Sequence, residues 1–148
     1  MRNLNRRQFV AACACATCPA LHALAAAASE KAGPVDVGPL EDFKAPGIHD
    51  PSGPGRRFYL VSRGGRLYAV SSTCTHKNVA LVARDGAFKC PRHGSAFSAD
   101  GNVTKAPARK PLPRYGIRLN DRSHVIVDPS VQFQSNGRED AGSFVRLD

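Results

Sequence analysis

Short apolar runs separated by tight-turn signals dominate the middle of the chain. Residues 57–62 and 66–71 are two β-rich runs that flank Arg63-Gly64-Gly65. Because glycine tolerates the positive φ that tight hairpin turns require, this pattern predicts a β-hairpin. The second arm of the hairpin leads the chain directly to Cys74.

The same alternation continues toward the C-terminus. Turn signals recur at Asp85-Gly86 and at Asp100-Gly101, and residues 115–119 and 124–128 predict a last hairpin around residues 120–123. Upstream, residues 35–38 predict a first edge strand. We therefore expect an all-β fold of short antiparallel strands. In the tail that follows, apolar residues are expected to pack back on the sheet: Val131, Phe133, Phe144 and Val145.

The N-terminus has a different character. Asn5-Arg6-Arg7-Gln8-Phe9 precedes an Ala-rich apolar run that ends at Ala28. Paired arginines, an apolar run and a small-residue site together predict a twin-arginine export signal over residues 1–28, cleaved near Ala28 or retained as an uncleaved anchor. Three cysteines in this run are interpreted as small apolar filler: Cys13, Cys15 and Cys18.

These patterns divide the chain into four parts. After residues 1–28 we expect an N-terminal linker with the first edge strand over residues 29–56. The main domain covers residues 35–130, and residues 131–148 form a C-terminal tail.

The candidate chemistry lies in two short segments, Cys74-Thr75-His76 and Cys90-Pro91-Arg92-His93-Gly94-Ser95-Ala96-Phe97. Each segment supplies one thiolate and one imidazole, so four S/N donors are available for a soft or borderline metal centre. Zinc bound by the same four donors is one alternative. A Cys74–Cys90 disulfide is another, but it explains neither histidine.

This pattern, C-x-H followed by C-P-x-H-G-S-x-F, resembles the Rieske [2Fe-2S] family. The resemblance extends through Ala99-Asp100-Gly101 and a Pro-rich stretch over residues 106–113, and it covers roughly residues 35–129. It implies a Rieske fold, which is an antiparallel β-sandwich or barrel base carrying a cluster-binding subdomain, here about residues 72–97. The implied ligands of one iron–sulfur cluster are Cys74, His76, Cys90 and His93.

The resemblance also implies roles for residues beside the ligands. Ser95 matches the position whose hydroxyl hydrogen-bonds a cluster sulfide. Phe97 stands where high-potential members carry a tyrosine. Val79 and Arg92 stand where those members carry two disulfide-forming cysteines. Because hydrogen bonds to the sulfurs raise the potential, we expect a potential below that of quinol-oxidising Rieske proteins but above plant-type ferredoxins.

The function implied is one-electron transfer, as a free carrier or as the small subunit of a periplasmic oxidoreductase. One alternative is the Rieske subunit of a quinol-oxidising cytochrome bc-type complex. Another is an exported zinc- or disulfide-stabilised binding module. No second iron site of the oxygenase type is apparent, because only His124 follows His93.

The net positive charge of the chain bears on what kind of molecule it binds. The formal net charge is +9, and residues 56–122 contain an excess of Lys and Arg over Asp. Without a base-reading motif this charge does not indicate nucleic acid. The simpler interpretation is a solvated basic face. The functional interpretation is a basic docking surface for an acidic redox protein or a larger oxidoreductase subunit. We expect a membrane role only if the N-terminal segment stays uncleaved, and otherwise a periplasmic or exported protein.

Overall fold

The computed structural model describes residues 33–51, 53 and 56–147. The predicted export signal over residues 1–28, with its three cysteines, lies outside these residues. Within the described part the chain is almost entirely β-structure. Its strands are β1 (Val35–Pro39), β2 (Gly47–His49), β3 (Phe58–Arg63), β4 (Arg66–Ser71), β5 (Val82–Arg84), β6 (Ala87–Lys89), β7 (Ala96–Ser98), β8 (Val103–Lys105), β9 (Arg114–Leu119), β10 (His124–Phe133) and β11 (Val145–Arg146).

The strands form two antiparallel sheets. The larger has the order β1-β10-β9-β4-β3-β2, with β11 pairing to β4, and the smaller has the order β5-β6-β7-β8. Two single-turn 3₁₀ segments, Leu40–Phe43 and Ser135–Gly137, interrupt the connections. The all-β class and the curled antiparallel sheets agree with the sequence-based prediction.

The β3–β4 hairpin separates two hydrophobic cores. Side chains of a strand alternate between its faces, and along β4 the residues Leu67 and Ala69 enter one core while Tyr68 and Val70 enter the other. This double burial explains why both arms of the hairpin are almost continuously apolar in sequence. Gly64 and Gly65 close the hairpin with φ of 60° and 70°, as a primed turn requires.

The core that Tyr68 and Val70 enter contains the two predicted sulfur ligands. Cys74 and Cys90 pack there with residues of the small sheet, including Phe88 and Phe97, and with Leu112 of the Pro-rich stretch. The remaining core fills the larger sheet around Phe58, Leu60, Ile117 and the inward face of β10. The predicted metal centre therefore lies against a buried hydrophobic core.

The structure departs from the sequence-based expectations at a few elements. Strands β2 and β8 were not anticipated, and β10 runs on to Phe133 instead of ending near Asp128. In the tail, Phe144 packs on one core and Val145 pairs with Leu67 of β4. Val131 lies over Gly116 of β9 but is 44% exposed and belongs to neither core.

Across the described residues, no helix has the length and apolar character needed to cross a bilayer.

Candidate metal centre

The two ligand segments fold into loops with the same backbone frame. In the first loop, the Cys74 N–H donates to the Val79 carbonyl at 2.8 Å, and the Asn78 N–H donates back to the Cys74 carbonyl at 2.9 Å. In the second, the Cys90 N–H donates to the Ser95 carbonyl at 2.8 Å, and the Gly94 N–H donates to the Cys90 carbonyl at 3.1 Å. Each cysteine thus begins a closed turn that ends five residues later.

The residue before each closing position adopts a left-handed conformation. Gly94 has φ of 73°, and Asn78 has φ of 54° at the equivalent place in the first loop. Glycine reaches this region without strain, and asparagine is among the few other residues that visit it routinely. The left-handed residue turns the chain so that both arms of each loop run back toward the sheets.

Regular strands hold both loops in place. The first loop is closed by an isolated bridge between Thr73 and Ala80. The second is inserted between β6, which ends at Lys89, and β7, which begins at Ala96. Because β6 and β7 pair directly, the two ends of the second loop are fixed by the ladder of the small sheet.

The sulfur donors and the nitrogen donors are grouped separately. Cys74 and Cys90 are 1% and 4% exposed, both are free thiols, and both lie in the same hydrophobic core. The rings of His76 and His93 meet edge to face with their centroids 5.0 Å apart. The structure therefore buries both sulfurs in one core and brings the two imidazoles into contact, and the Cys74–Cys90 disulfide of the alternative hypothesis is not formed.

The histidines differ in burial. His93 is exposed, whereas His76 is half-buried, and its Nδ1 is buried without a hydrogen-bond partner. A buried nitrogen without a partner is costly unless it binds something else. Together with two buried thiols, this orphaned nitrogen fits a centre that takes both sulfur and nitrogen ligands.

The local backbone favours the thiolate form of Cys90. Burial alone raises its pKa, but N–H groups of His93 and Arg92, the Cys74 thiol and the Arg92 charge act together to hold the pKa below its ordinary value. The thiolate is the form that binds metal. The second loop is therefore prepared electrostatically for a metal-bound sulfur.

Ser95 and Phe97 are both fully buried beside the second loop. The Ser95 Oγ accepts a hydrogen bond from the Ala108 N–H at 3.0 Å. Because that bond uses an oxygen lone pair, the hydroxyl proton of Ser95 stays free to donate. Phe97 faces Phe88 across the β6–β7 ladder and offers no donor.

The Pro-rich stretch lies beside the first loop. The Thr75 Oγ1 donates to the Lys110 carbonyl at 2.6 Å. A groove of about 430 Å³ between the two segments is lined by Thr75, His76, Pro107, Arg109 and Lys110. The half-buried imidazole of His76 therefore opens onto a groove with two cationic residues.

Two other histidines are held elsewhere by ordinary structural contacts. The His49 Nε2 lies 2.8 Å from the Ala45 carbonyl, and the His124 Nδ1 lies 3.1 Å from the Asp36 carboxylate. Among the described residues, no three or more His, Cys, Asp or Glu side chains are grouped so that they could hold one metal ion.

Sequence reasoning missed three residues that shape the site: Thr75, Asn78 and Ala108. For Asn78 a signal existed, because it follows Cys74 at the same spacing at which Gly94 follows Cys90. For Thr75 and Ala108 there was none, since their partners lie in a different loop.

Comparison with known proteins agrees with this geometry. The Rieske [2Fe-2S] domain family matches residues 33–116, which is more than half of the chain. The chain belongs to this family, and its cofactor is a Rieske [2Fe-2S] cluster.

Two curated relatives illustrate the range of proteins that contain such a domain. The chain is 33% identical over 100 residues to the cytochrome b6-f complex iron-sulfur subunit of Chlorobaculum tepidum, a match that covers 61% of this chain and 51% of that subunit. It is 34% identical over 80 residues to the chloroplastic choline monooxygenase of Spinacia oleracea, covering 51% and 18% respectively. The chain thus spans about half the length, or less, of these relatives.

Solved structures show the same fold. The plasma membrane Rieske protein of the cyanobacterium Synechocystis PCC 6803 aligns with a TM-score of 0.51 at 35% identity, covering 63% of this chain and 97% of that one. A chain from the complex of oxygenase and ferredoxin in carbazole 1,9a-dioxygenase aligns with a TM-score of 0.50 at 21% identity, covering 69% and 97%, which supports the fold alone.

Proposed function

We propose that this chain is a one-electron carrier whose cluster is held by Cys74 and Cys90 on one iron and by His76 and His93 on the other. The observation that carries the proposal is the arrangement of the donors, with two buried free thiols in one core and two imidazoles in contact. Two thiolates and two imidazoles suit a cluster in which one iron has sulfur ligands and the other has nitrogen ligands. Neutral imidazoles raise the reduction potential relative to four-cysteine ferredoxins. The bound cluster supplies reversible one-electron chemistry.

The protein contributes positioning and access. The buried thiols and the packed core behind them exclude water from the sulfur side of the centre. The exposed His93 and the groove beside His76 leave the nitrogen side open, so an electron partner would approach there. The free hydroxyl proton of Ser95 is available to a cluster sulfide.

The ligand assignment is tested by electron paramagnetic resonance of the dithionite-reduced protein. The wild type should give a rhombic signal with a low average g. Cys90→Ser and His93→Ala should lose it, while the control His124→Ala, which alters a histidine held by Asp36, should keep it. A full signal in His93→Ala would refute the ligand set.

The potential should lie between those of quinol-oxidising Rieske proteins and plant-type ferredoxins. Phe97 has no hydroxyl to donate, and in the described residues both site cysteines are free with no disulfide between the loops. Fewer donors near the sulfurs destabilise the reduced form. A redox titration that places the midpoint near +300 mV, about the top of the Rieske range, would contradict this.

A second candidate is the Rieske subunit of a quinol-oxidising cytochrome complex. The similarity to the Chlorobaculum tepidum subunit favours it, while Phe97 and the free cysteines count against it. Quinol-driven reduction of the purified protein in the presence of a cytochrome b-containing membrane fraction would favour this candidate, and its absence would favour the free carrier.

We further propose export by the twin-arginine route. The support is sequence alone: Arg6-Arg7 followed by Phe9 and an Ala-rich run. Such export carries folded proteins and so suits a cluster inserted beforehand. Replacing both Arg6 and Arg7 by Lys should retain the protein in the cytoplasmic fraction, whereas Arg2→Lys should not. Unchanged export of the double variant would exclude this route.

A further inference from the structure

A second cavity, of about 340 Å³, shares no residue with the groove beside His76. We call it the arginine cavity, because guanidinium groups dominate its lining. The lining residues are Arg63, Gly64, Arg66, Tyr68, Asp100, Arg114 and Glu139. It is built by the β3–β4 turn, the start of β9, the turn after β7 and the C-terminal tail.

Positive charge exceeds negative charge in this cavity. The Arg63 Nη1 lies 3.2 Å from the Asp100 Oδ2, and the Arg66 Nη1 lies 2.6 Å from the Glu139 Oε2. Each carboxylate is thus engaged by one peripheral arginine. The third guanidinium, that of Arg114, reaches Asp100 only at 4.0 Å, which is beyond hydrogen-bonding distance.

Arg114 is also the most buried of the three. The residue is 6% exposed, its guanidinium lies 3.7 Å over the ring of Tyr68, and its Nη1 donates to the Arg138 carbonyl at 3.3 Å. Its Nε is buried without a partner. Buried charges are normally paired, whereas the Asp100 carboxylate lies 4.0 Å from Arg114 and the positive charge of Arg138 also acts on Arg114.

We propose that the arginine cavity binds a free phosphate ion through Arg63, Arg66 and Arg114. The planar guanidinium presents donors whose geometry matches a tetrahedral oxyanion. The volume is at the lower end for ligand sites, which suits a small ion. Burial, and after it the charge of Arg138, lowers the pKa of Arg114, and a bound anion would relieve this destabilisation.

The proposal is separate from electron transfer. None of the predicted cluster ligands lines the arginine cavity, so phosphate binding could fail while the carrier function stands, or the reverse.

Isothermal titration calorimetry of the folded, cluster-containing protein with sodium phosphate at constant ionic strength tests it. We expect saturable binding of one ion per chain. Replacing both Arg63 and Arg66 by Gln should weaken binding by about tenfold or more, since each loses charge-assisted hydrogen bonds. Both side chains are partly exposed, so the fold should tolerate the changes.

Two further variants sharpen the result. Arg118→Gln removes an exposed arginine of β9 outside the cavity and should bind as the wild type does. Arg66→Lys keeps the charge but loses the planar donor pair, and it should bind more weakly than the wild type. No saturable heat in the wild type, or equal weakening in Arg118→Gln, would overturn the proposal.

Discussion

At the scale of single residues, the fully buried Ser95 has one observed hydrogen bond and one proposed hydrogen bond. Its oxygen accepts from the Ala108 N–H at 3.0 Å, and we propose that its hydroxyl proton is donated to a cluster sulfide. Ser95→Ala leaves the Ala108 N–H buried without a partner, which should lower the free energy of unfolding by about 1–3 kcal/mol. It should also lower the reduction potential, because a donor that stabilises the reduced form is lost.

Urea denaturation and a redox titration measure the two effects separately. Ser98→Ala is the matched control, because its hydroxyl accepts only from the exposed Asn102 N–H. If Ser95→Ala lost stability but kept the wild-type potential, its hydroxyl would have no role toward the cluster.

Tyr68 gives a prediction in alkaline solution. Burial, followed by the hydrogen bond to Asp100 at 2.6 Å and the charge of that carboxylate, raises the pKa of Tyr68 above the ordinary range. The folded protein therefore favours the neutral phenol. Its stabilising contribution should be complete below the unfolded pKa of about 10 and should be lost as the pH rises toward the folded pKa.

Urea midpoints of the wild type and Tyr68→Phe from pH 8 to pH 11 test this. The stability advantage of the wild type should shrink as the pH rises through this range. A constant difference would show that Tyr68 does not titrate differently in the folded and unfolded states.

The sequence was most informative about residues whose chemistry is local. The four ligand candidates follow from spacing within two short segments, and the structure brings them together in pairs. The contacts of Ser95 with Ala108 and of Thr75 with Lys110 were not predictable, because they depend on where the Pro-rich stretch returns. Nothing in either residue type indicates the partner.

At the scale of elements, the first ligand loop depends on the left-handed conformation of Asn78. Asn78→Gly should be neutral or slightly stabilising in the folded loop, since glycine adopts φ near 54° without strain. Asn78→Val should cost about 1–2 kcal/mol, because a β-branched apolar side chain is disfavoured in the left-handed region and cannot hydrogen-bond locally as asparagine does, and it should loosen the turn that positions Cys74. Urea denaturation and the cluster content per chain measure the two consequences.

Lys77→Val is the control for this pair of variants, because it places the same side chain at an exposed neighbouring position. Equal losses in both valine variants would assign the effect to surface hydrophobicity and not to backbone conformation.

Hairpin strands could be predicted where the residues of the connecting turn have a recognisable sequence. Gly64-Gly65 and Asp85-Gly86 adopt positive φ in both central positions, as the sequence indicated. Strands β2 and β8 have three residues each, too few for alternation to be recognised, and they exist through pairing with β3 and β7. Strand β10 continues past Pro129 because the register shifts after Asp128, which accommodates a residue that cannot donate to the ladder.

At the scale of the whole molecule, the two cores and the two sheets leave the ligand loops at one surface with a single sign of charge. The loops and the Pro-rich stretch, residues 74–79, 90–95 and 106–113, contain four cationic residues and no acidic one. All four are exposed: Lys77, Arg92, Arg109 and Lys110. We call this the basic face, and it surrounds the side of the centre that His93 opens to solvent.

The basic face predicts which partners reduce or oxidise this protein quickly. Opposite charges steer encounter and raise association rates by about 10- to 1000-fold at low salt. Electron transfer with an acidic c-type cytochrome should therefore be fast and should slow as ionic strength rises, whereas a basic cytochrome of similar potential should react slowly and should speed up with salt.

Stopped-flow kinetics with Lys77→Gln/Arg109→Gln isolate the contribution of the face. These residues are chosen because Arg92 also acts on the Cys90 thiol, so changing it would alter the potential as well. With an acidic cytochrome the double variant should associate about tenfold more slowly at an unchanged potential, and its salt dependence should be shallower. Arg118→Gln/Arg122→Gln removes the same charge from exposed positions of β9 and the following turn. If that control slowed the reaction equally, net charge and not the basic face would govern the encounter.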